Sequence, residues 1–161
     1  DWRLGNGASC LSARTSVGDR NFLLSMTDHL LDPSLVSDLA AAPVPEGGLC
    51  LAVDFDKDGV FDLEDVTRVK IDETGAIAAI GKMMEPWDGS DTGLFLCTPG
   101  LFDALAEAAA AGEHGLSDGV RRLAARGLAR TADVTGHWGM DVDTPTALAA
   151  AERHRQRSAK T

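Results

Sequence analysis

The sequence predicts an α/β domain with a mostly parallel sheet. Short apolar runs of strand length alternate along the chain with helical segments, which is the pattern of layered α/β folds. The 161 residues, 44% hydrophobic and 25% charged, are enough to bury one core without disulfides or structural metals. We therefore expect a single folding unit.

The predicted strands are short apolar or alternating runs, and the predicted helices are longer segments with one apolar face. The strands are 21–26, 49–55, 67–71, 76–80 and 93–97. The helices are 9–16, 35–42, 99–111, 117–127 with Ser117 as its N-cap, and a last helix that begins at Pro145 and runs into a basic tail. Turn residues at 72–75 predict a hairpin between the third and fourth strands.

The charge balance argues against a nucleic-acid partner. The chain has 15 Lys and Arg residues against 25 Asp and Glu residues, a formal net charge of -10 and a pI near 4.7. This is the wrong sign for neutralising the phosphates of DNA or RNA. A phosphorylated ligand would need a few placed cations or a bound divalent metal ion.

The cysteine pattern predicts buried thiols rather than a disulfide or a zinc site. Cys10, Cys50 and Cys97 are far apart, odd in number and flanked by apolar residues. This indicates a reducing compartment, and we expect the cytoplasm. The most apolar run, 101–111, contains two acidic residues and is too short to cross a bilayer, and no signal-peptide pattern opens the chain.

The most conspicuous local motif is the acidic segment 54–65. Carboxylates at positions one, three, five, nine and twelve with glycine at position six match a calcium-binding loop, and these residues are Asp54, Asp56, Asp58, Gly59, Asp62 and Asp65. Both flanks are strand-like, whereas this loop type needs helices, and the twelfth position is Asp where Glu is usual. A solvated connection between strands is therefore favoured, and a noncatalytic calcium-binding module is the alternative.

Other carboxylates lie where α/β proteins bind ligands. Asp28 ends an apolar strand, and ligands of open α/β sheets bind at the carboxyl ends of strands. Asp141 and Asp143 precede the last helix, where a carboxylate can equally serve as a cap. Taken together, these carboxylates from distant segments are what a magnesium ion shared with a nucleoside triphosphate needs.

Two further features are weaker indications of a ligand-binding site. The segment 91–93 precedes a strand, and its glycine allows close approach of a ligand, although ordinary strand-entry turns use the same residues. Lys82 follows the predicted hairpin, and an exposed lysine is most often only solvated. The four histidines lack zinc-ligand spacing, and the sequence has no motif for a serine or cysteine nucleophile.

Four motifs in a fixed order carry a family resemblance. They are Gly-Asn-Gly-Ala-Ser at 5–9, Phe-Leu-Leu-Ser-Met-Thr-Asp-His at 22–29, Asp-Thr-Gly-Leu-Phe-Leu-Cys at 91–97 and Trp-Gly-Met-Asp-Val-Asp-Thr-Pro at 138–145, with Asp-Leu-Glu-Asp-Val-Thr-Arg-Val at 62–69 in support. With them the chain resembles the sugar-phosphate nucleotidyltransferase superfamily, and within it most the CTP:inositol-1-phosphate cytidylyltransferases. The resemblance covers nearly the whole chain.

The resemblance implies a fold and an activity. The fold is a three-layer, Rossmann-like nucleotidyltransferase domain over 1–152, followed by a basic tail over 153–161. The implied reaction is a magnesium-dependent transfer of a nucleotidyl group from an NTP, expected to be CTP, to a polyol or sugar phosphate, with release of pyrophosphate. The segment 54–65 has no metal role in this family, which lowers the standing of the calcium alternative.

The resemblance also implies roles for individual residues. Gly5, Asn6 and Gly7 would contact the base of the nucleotide. Asp28 and Asp143 would hold the catalytic magnesium ion, with Asp141 as a further candidate ligand. Lys82 would contact the acceptor phosphate or polyol, and Asp91, Thr92 and Gly93 would contact acceptor hydroxyls.

One family element lies outside this sequence. The family begins with a strand and a Gly-rich loop whose Arg, with a later Lys, wraps the triphosphate, and nothing before Asp1 supplies them. We therefore expect an N-terminally truncated domain, the C-terminal two thirds, that is inactive alone. An uncovered sheet edge would also favour self-association, with a homo-oligomer as one outcome.

Overall fold

The computed structural model describes residues 2–59 and 63–158 of the chain. Within this part the strands are β1 Phe22–Ser25, β2 His29–Leu31, β3 Leu49–Asp54, β4 Arg68–Ile71, β5 Ile77–Gly81, β6 Gly89–Cys97, β7 Ala129–Asp133 and β8 Gly139–Asp141. The α-helices are α1 Asn6–Ser12, α2 Arg14–Val17, α3 Pro33–Ala40, α4 Gly100–Ala110, α5 Leu116–Ala124 and α6 Pro145–Ser158. Short 3₁₀ helices cover Trp2–Leu4 and Lys57–Gly59.

A six-stranded mixed sheet forms the centre of the fold. Its order is β5-β4-β6-β3-β7, and β1 also pairs with β6. The strands β1, β3 and β4 all pair antiparallel with β6, whereas β7 pairs parallel with β3. Those four strands therefore share one direction, whereas β5 and β6 run opposite to them. Because β6 lies in the middle of the sheet, most hydrogen-bonded pairings are antiparallel.

Helices cover both faces of this sheet, which confirms the three-layer α/β prediction. Side chains of alternate β3 residues point to opposite faces because the side-chain period of a strand is two. Leu49, Leu51 and Val53 belong to one core cluster with α4 and α5. Cys50 and Ala52 belong to a second cluster with α3.

The predicted hairpin is confirmed in β4 and β5, which pair antiparallel. Asp72 closes its turn, because one carboxylate oxygen accepts hydrogen bonds from the backbone N–H groups of Thr74 (2.8 Å) and Ala76 (3.0 Å). These bonds and one from the Thr74 hydroxyl hold the pKa of Asp72 below its usual value. The turn sets the start of β5, and Lys82 directly follows the other end of that strand.

Several predicted boundaries are corrected by the structure. The first helix, predicted over 9–16, begins earlier, because α1 starts at Asn6 and Gly5 is its N-cap with φ of +125°. The N-cap of α5 is Gly115, and Ser117 lies inside the helix. The expected tail begins within α6, which continues to Ser158. Strands β2, β7 and β8 were not predicted, because they are short or carry polar residues.

The cysteine prediction is confirmed. Cys10, Cys50 and Cys97 are free and buried, and burial raises the pKa of the Cys10 and Cys50 thiols to about 11. Along the described residues no helix is both long and apolar enough to span a bilayer. The cytoplasmic location and the oligomeric state stay predictions.

Candidate functional site

The small two-stranded sheet brings distant carboxylates together. The antiparallel pairing of β2 with β8 sets His29 opposite Asp141. The N–H of Val142 donates to the carbonyl oxygen of Asp28 at 2.9 Å, which ties the turn before β2 to the end of β8. As a result, potential ligand atoms of Asp28, His29 and Asp141 lie within 4.8 Å of one another.

A second group shares Asp141 with the first. One carboxylate oxygen each of Asp65, Asp141 and Asp143 lie within 4.8 Å of one another. We call Asp28, His29, Asp65, Asp141 and Asp143 the acidic site. Its members come from the turn after β1 and the first residue of β2, from the loop after β3, and from the end of β8 and the residues that follow it, so the fold, not the local sequence, assembles it.

Charge and burial make Asp141 the focus of the acidic site. Burial raises the pKa of Asp141, and the nearby charges of Asp28, Asp143 and Asp65 raise it further, opposed by His29. One of its oxygens, Oδ1, is buried and has no hydrogen-bond partner among the described residues. A buried carboxylate oxygen without a partner is costly unless a cation completes the site.

Two other members of the acidic site, Asp28 and Asp65, have basic neighbours. His29 Nδ1 lies 3.0 Å from Asp28 Oδ1, and this hydrogen bond holds the pKa of Asp28 below its usual value. Lys82 forms an ion pair with Asp65. Lys82 therefore lies at the border of the acidic site, although the side chains of both Lys82 and Asp65 are more than half exposed.

The predicted acceptor segment lies in β6, and each of its residues already has a protein contact. Asp91 Oδ1 accepts the N–H of Gly93 at 2.8 Å, and burial raises the pKa of Asp91 to about 6. The Thr92 hydroxyl donates to the carbonyl oxygen of Ala52 at 2.9 Å. Gly93 has φ of +73°, and a Cβ placed on it would lie 2.6 Å from the ring of His29.

The predicted base-contact residues pack against the start of α5. Asn6 Oδ1 accepts the N–H of Leu116 at 2.8 Å, so it caps that helix. A Cβ on Gly7 would lie 2.6 Å from the carbonyl oxygens of His114 and Gly115. Close packing of α1 against the start of α5 explains the glycine at position 7. Contact of residues 5–7 with a nucleotide base stays a prediction.

The acidic segment after β3 divides into two parts. Asp54 Oδ1 accepts the N–H of Asp56 at 2.9 Å, and Asp56 Oδ1 accepts the N–H of Asp58 at 3.2 Å. The first part is preceded by a strand, not by the helix that a calcium loop needs. Positions 60–62 lie outside the described residues. After this gap, Asp65 lies beside Asp141 and Asp143. It thus belongs to the acidic site, whereas the calcium motif would make it the twelfth position of a metal-binding loop.

Sequence reasoning therefore identifies Asp28, Asp141, Asp143 and Lys82, which the structure gathers in one place, and misses two members of the site. His29 directly follows Asp28, and this adjacency is the one signal that could have identified it. The sequence around Asp65 matches only a calcium-binding loop, in which Asp65 is the twelfth position. Its position beside the other carboxylates depends on the path of the loop after β3.

Comparisons with known proteins support the motif-based resemblance. No family model matches the chain. The chain is 35% identical over 153 residues to a bifunctional IPC transferase and DIPP synthase of Rubrobacter xylanophilus, covering 94% of this chain and 34% of that protein. It is 30% identical over 155 residues to the protein of the same name from Aquifex aeolicus, covering 96% and 33%. The chain thus spans about one third of the length of these relatives.

Solved structures give the same fold. The inositol-1-phosphate CTP transferase from T. maritima superimposes with a TM-score of 0.77 at 24% identity, covering 89% of this chain and 58% of that chain. A UDP-glucose pyrophosphorylase complexed with UDP-glucose superimposes with a TM-score of 0.76 at 16% identity, covering 96% and 62%. The chain therefore has the nucleotidyltransferase fold, and the predicted resemblance to this superfamily and to its inositol-phosphate branch is confirmed.

Proposed function

We propose that this chain is part of a nucleotidyltransferase that transfers a nucleotidyl group from an NTP to a polyol or sugar phosphate. The observation that carries the proposal is that Asp141 joins two groups of potential metal ligands, one with Asp28 and His29 and one with Asp65 and Asp143. The fold that brings these groups together is shared with nucleotidyltransferases. The similar structure from T. maritima is that of an inositol-1-phosphate CTP transferase, which favours CTP as donor and inositol 1-phosphate as acceptor. Both substrates are therefore part of the proposal.

The residues of the acidic site fit a magnesium ion. Mg²⁺ prefers oxygen ligands and is usually held by one or two carboxylates together with substrate phosphates. Asp28 and Asp143 would hold it, and Asp141 offers the buried Oδ1 that has no hydrogen-bond partner among the described residues. When bound, the ion would offset charge on the phosphate oxygens of the nucleotide.

The chain's own residues would act mainly by positioning. An oxygen of the acceptor phosphate attacks the α-phosphorus of the NTP, and the bond from that phosphorus to the pyrophosphate oxygen breaks. This reaction needs no protein nucleophile, because the acceptor oxygen is already ionised. Lys82, which forms an ion pair with Asp65, would contact the acceptor phosphate through its ammonium group. Asp91, whose Oδ1 accepts the N–H of Gly93, would contact an acceptor hydroxyl.

The test uses the protein encoded by the whole reading frame that contains this chain. We expect CTP and inositol 1-phosphate to give pyrophosphate and a cytidylylated product, followed by ³¹P NMR. EDTA should stop the reaction and added Mg²⁺ should restore it. Parallel assays with UTP, ATP and GTP test the base, and assays with a hexose 1-phosphate or glycerol phosphate test the acceptor.

The isolated 161-residue chain is a second test. We expect it to be inactive, because no residue of this chain is assigned to wrap the triphosphate and its net charge of -10 opposes an anionic substrate. Robust CTP-dependent release of pyrophosphate by this chain alone would contradict that expectation. No nucleotidyl transfer by the complete protein, with any of these substrates, would overturn the proposed function.

A further inference from the structure

We propose that His29, whose ring lies against Gly93, is a positioning residue that fixes the carboxylate of Asp28 in the acidic site. This inference rests on the proposed function, because it gives Asp28 a metal ion to hold. It assigns a new role to His29. It also gives Gly93 a steric role instead of a contact with the acceptor.

The first step is the contact between His29 and Gly93. A Cβ on Gly93 would lie 2.6 Å from both Cδ2 and Nε2 of the His29 ring and 3.2 Å from Cε1. Distances under 3.0 Å are excluded for carbon atoms that are not bonded, so a larger residue would push the ring away. The φ of +73° also favours glycine, so two independent features of this position disfavour any other residue.

Second, the backbone of Gly93, which lies under the His29 ring, is held by hydrogen bonds on both sides. The N–H of Gly93 donates to Asp91 Oδ1 at 2.8 Å. Its carbonyl oxygen accepts the N–H of Met26 at 3.2 Å, which joins β6 to the residue that follows β1. Met26 precedes Asp28 by only two residues. The surface under the imidazole is therefore fixed relative to the turn that carries Asp28.

The third step is the hydrogen bond from His29 to Asp28. A carboxylate can only accept, so the proton lies on Nδ1, and this N–H donates to Asp28 Oδ1 at 3.0 Å. The His29 side chain is 17% exposed, whereas that of Asp28 is 52% exposed. A largely enclosed ring thus orients a carboxylate that would otherwise rotate in solvent.

The experiment measures binding of Mn²⁺ to the 161-residue chain by electron paramagnetic resonance. His29→Leu removes the donor, and we expect Mn²⁺ affinity to fall about 10- to 100-fold, the usual effect of losing a group that orients a metal ligand. His29→Asn keeps an N–H near the position of Nδ1 and should retain most of the affinity. Gly93→Ala should lower the affinity as His29→Leu does, because it displaces the ring.

The matched control is Gly75→Ala. Gly75 has φ of +76°, close to that of Gly93, but a Cβ there would meet nothing within 4 Å. Alanine at position 75 is strained by the positive φ just as alanine at position 93 is, but it displaces no ring. The Mn²⁺ affinity of Gly75→Ala should therefore equal that of the unchanged chain. Unchanged affinity in His29→Leu, or equal losses in Gly75→Ala and Gly93→Ala, would overturn the inference.

A second measurement needs no metal ion. In urea unfolding, Gly93→Ala should lower the midpoint more than Gly75→Ala does, and this excess should vanish when His29 is also replaced by Ala. Additive effects of His29→Ala and Gly93→Ala would overturn the inference. If the unchanged chain binds no Mn²⁺, the metal site of the proposed function is wrong as well, which distinguishes that failure from the failure of the role of His29 alone.

Discussion

The chain has two regions rich in aspartate, and they use their carboxylates in opposite ways. In the loop that follows β3, Asp54 and Asp56 each accept a backbone N–H from two residues further along, so the carboxylates stabilise the loop itself. In the acidic site the carboxylates come from three separate segments. There Asp141 Oδ1 is buried without a hydrogen-bond partner among the described residues.

This difference shows that a high local density of aspartates is a poor guide to a metal site. Neighbouring aspartates in a loop readily bond to nearby N–H groups, which satisfies them without any ion. Aspartates gathered from distant segments repel each other, and the fold holds them together against that repulsion. Such an arrangement favours a bound cation.

The largest expected effect concerns catalysis. Asp143→Asn in the complete protein should lower nucleotidyl transfer roughly 10²- to 10⁴-fold, because a metal ion supplies several kcal/mol of charge stabilisation and about 1.4 kcal/mol corresponds to tenfold. Asp54→Asn in the loop should leave the rate unchanged. Initial rates of pyrophosphate release measure both. Equal losses in the two variants would remove the distinction between the two regions.

The next effect is a pH dependence of stability from Asp91, beside the acidic site. Its pKa in the fold is about 6, above the ordinary value of 3.8, so the folded chain binds more protons than the unfolded chain between these values. The contribution of this group to stability therefore falls by at most about 3 kcal/mol as pH rises from about 4 to 6, and it stays low above pH 6. Asp91→Asn should remove this dependence and stabilise the chain at pH 8, as measured by urea unfolding.

The hairpin turn provides a control of opposite sign. The pKa of Asp72 lies below its ordinary value because it accepts several hydrogen bonds, so its contribution is present at neutral pH and is lost as pH falls through the folded pKa. Asp72→Asn should therefore weaken the chain at pH 8, where Asp91→Asn strengthens it. The same direction of change in both variants would contradict this assignment of causes.

The fold was predictable where burial dominates the sequence pattern. The run 49–55 consists mostly of apolar residues because β3 is covered on both faces, and the hairpin follows from the turn chemistry of Asp72 and Gly75. In contrast, β2 and β8 have three residues each and exist through their mutual pairing. Strand β7 carries Arg130, whose side chain donates a hydrogen bond to Thr74 at the β4–β5 turn. With such polar residues its sequence has the pattern of a loop, not of a buried strand.

The site was predictable only in part. The motifs at 22–29 and 138–145 identify Asp28, Asp141 and Asp143 through the family resemblance. Local sequence cannot show that Asp65 reaches them, because this depends on the path of a long connection. It also cannot show that Gly93 leaves room for the ring of His29, because the two residues are adjacent only once β1 and the turn after it lie beside β6.

A smaller effect compares one aspartate from each region in the metal-free chain. Asp141→Asn should stabilise it slightly, since it removes a partly buried charge that like charges surround and water still screens in part. Asp56→Asn should be neutral or slightly destabilising, because the loop loses charge from an oxygen that accepts a backbone N–H. Urea unfolding in EDTA measures both, and destabilisation by Asp141→Asn would show that its carboxylate is satisfied without a cation.

The smallest expected effect is that of calcium on the loop. Asp54 and Asp56 are engaged with their own backbone, and a strand, not a helix, leads into the segment. We therefore expect calorimetric titration with Ca²⁺ to show no saturable micromolar site that depends on Asp54. Weak binding at the acidic site would be lost in Asp143→Asn and kept in Asp54→Ala. A one-to-one micromolar site that Asp54→Ala abolishes would instead favour the calcium-binding module, and it would mean that aspartates bonded within their own loop can release those bonds to a metal ion.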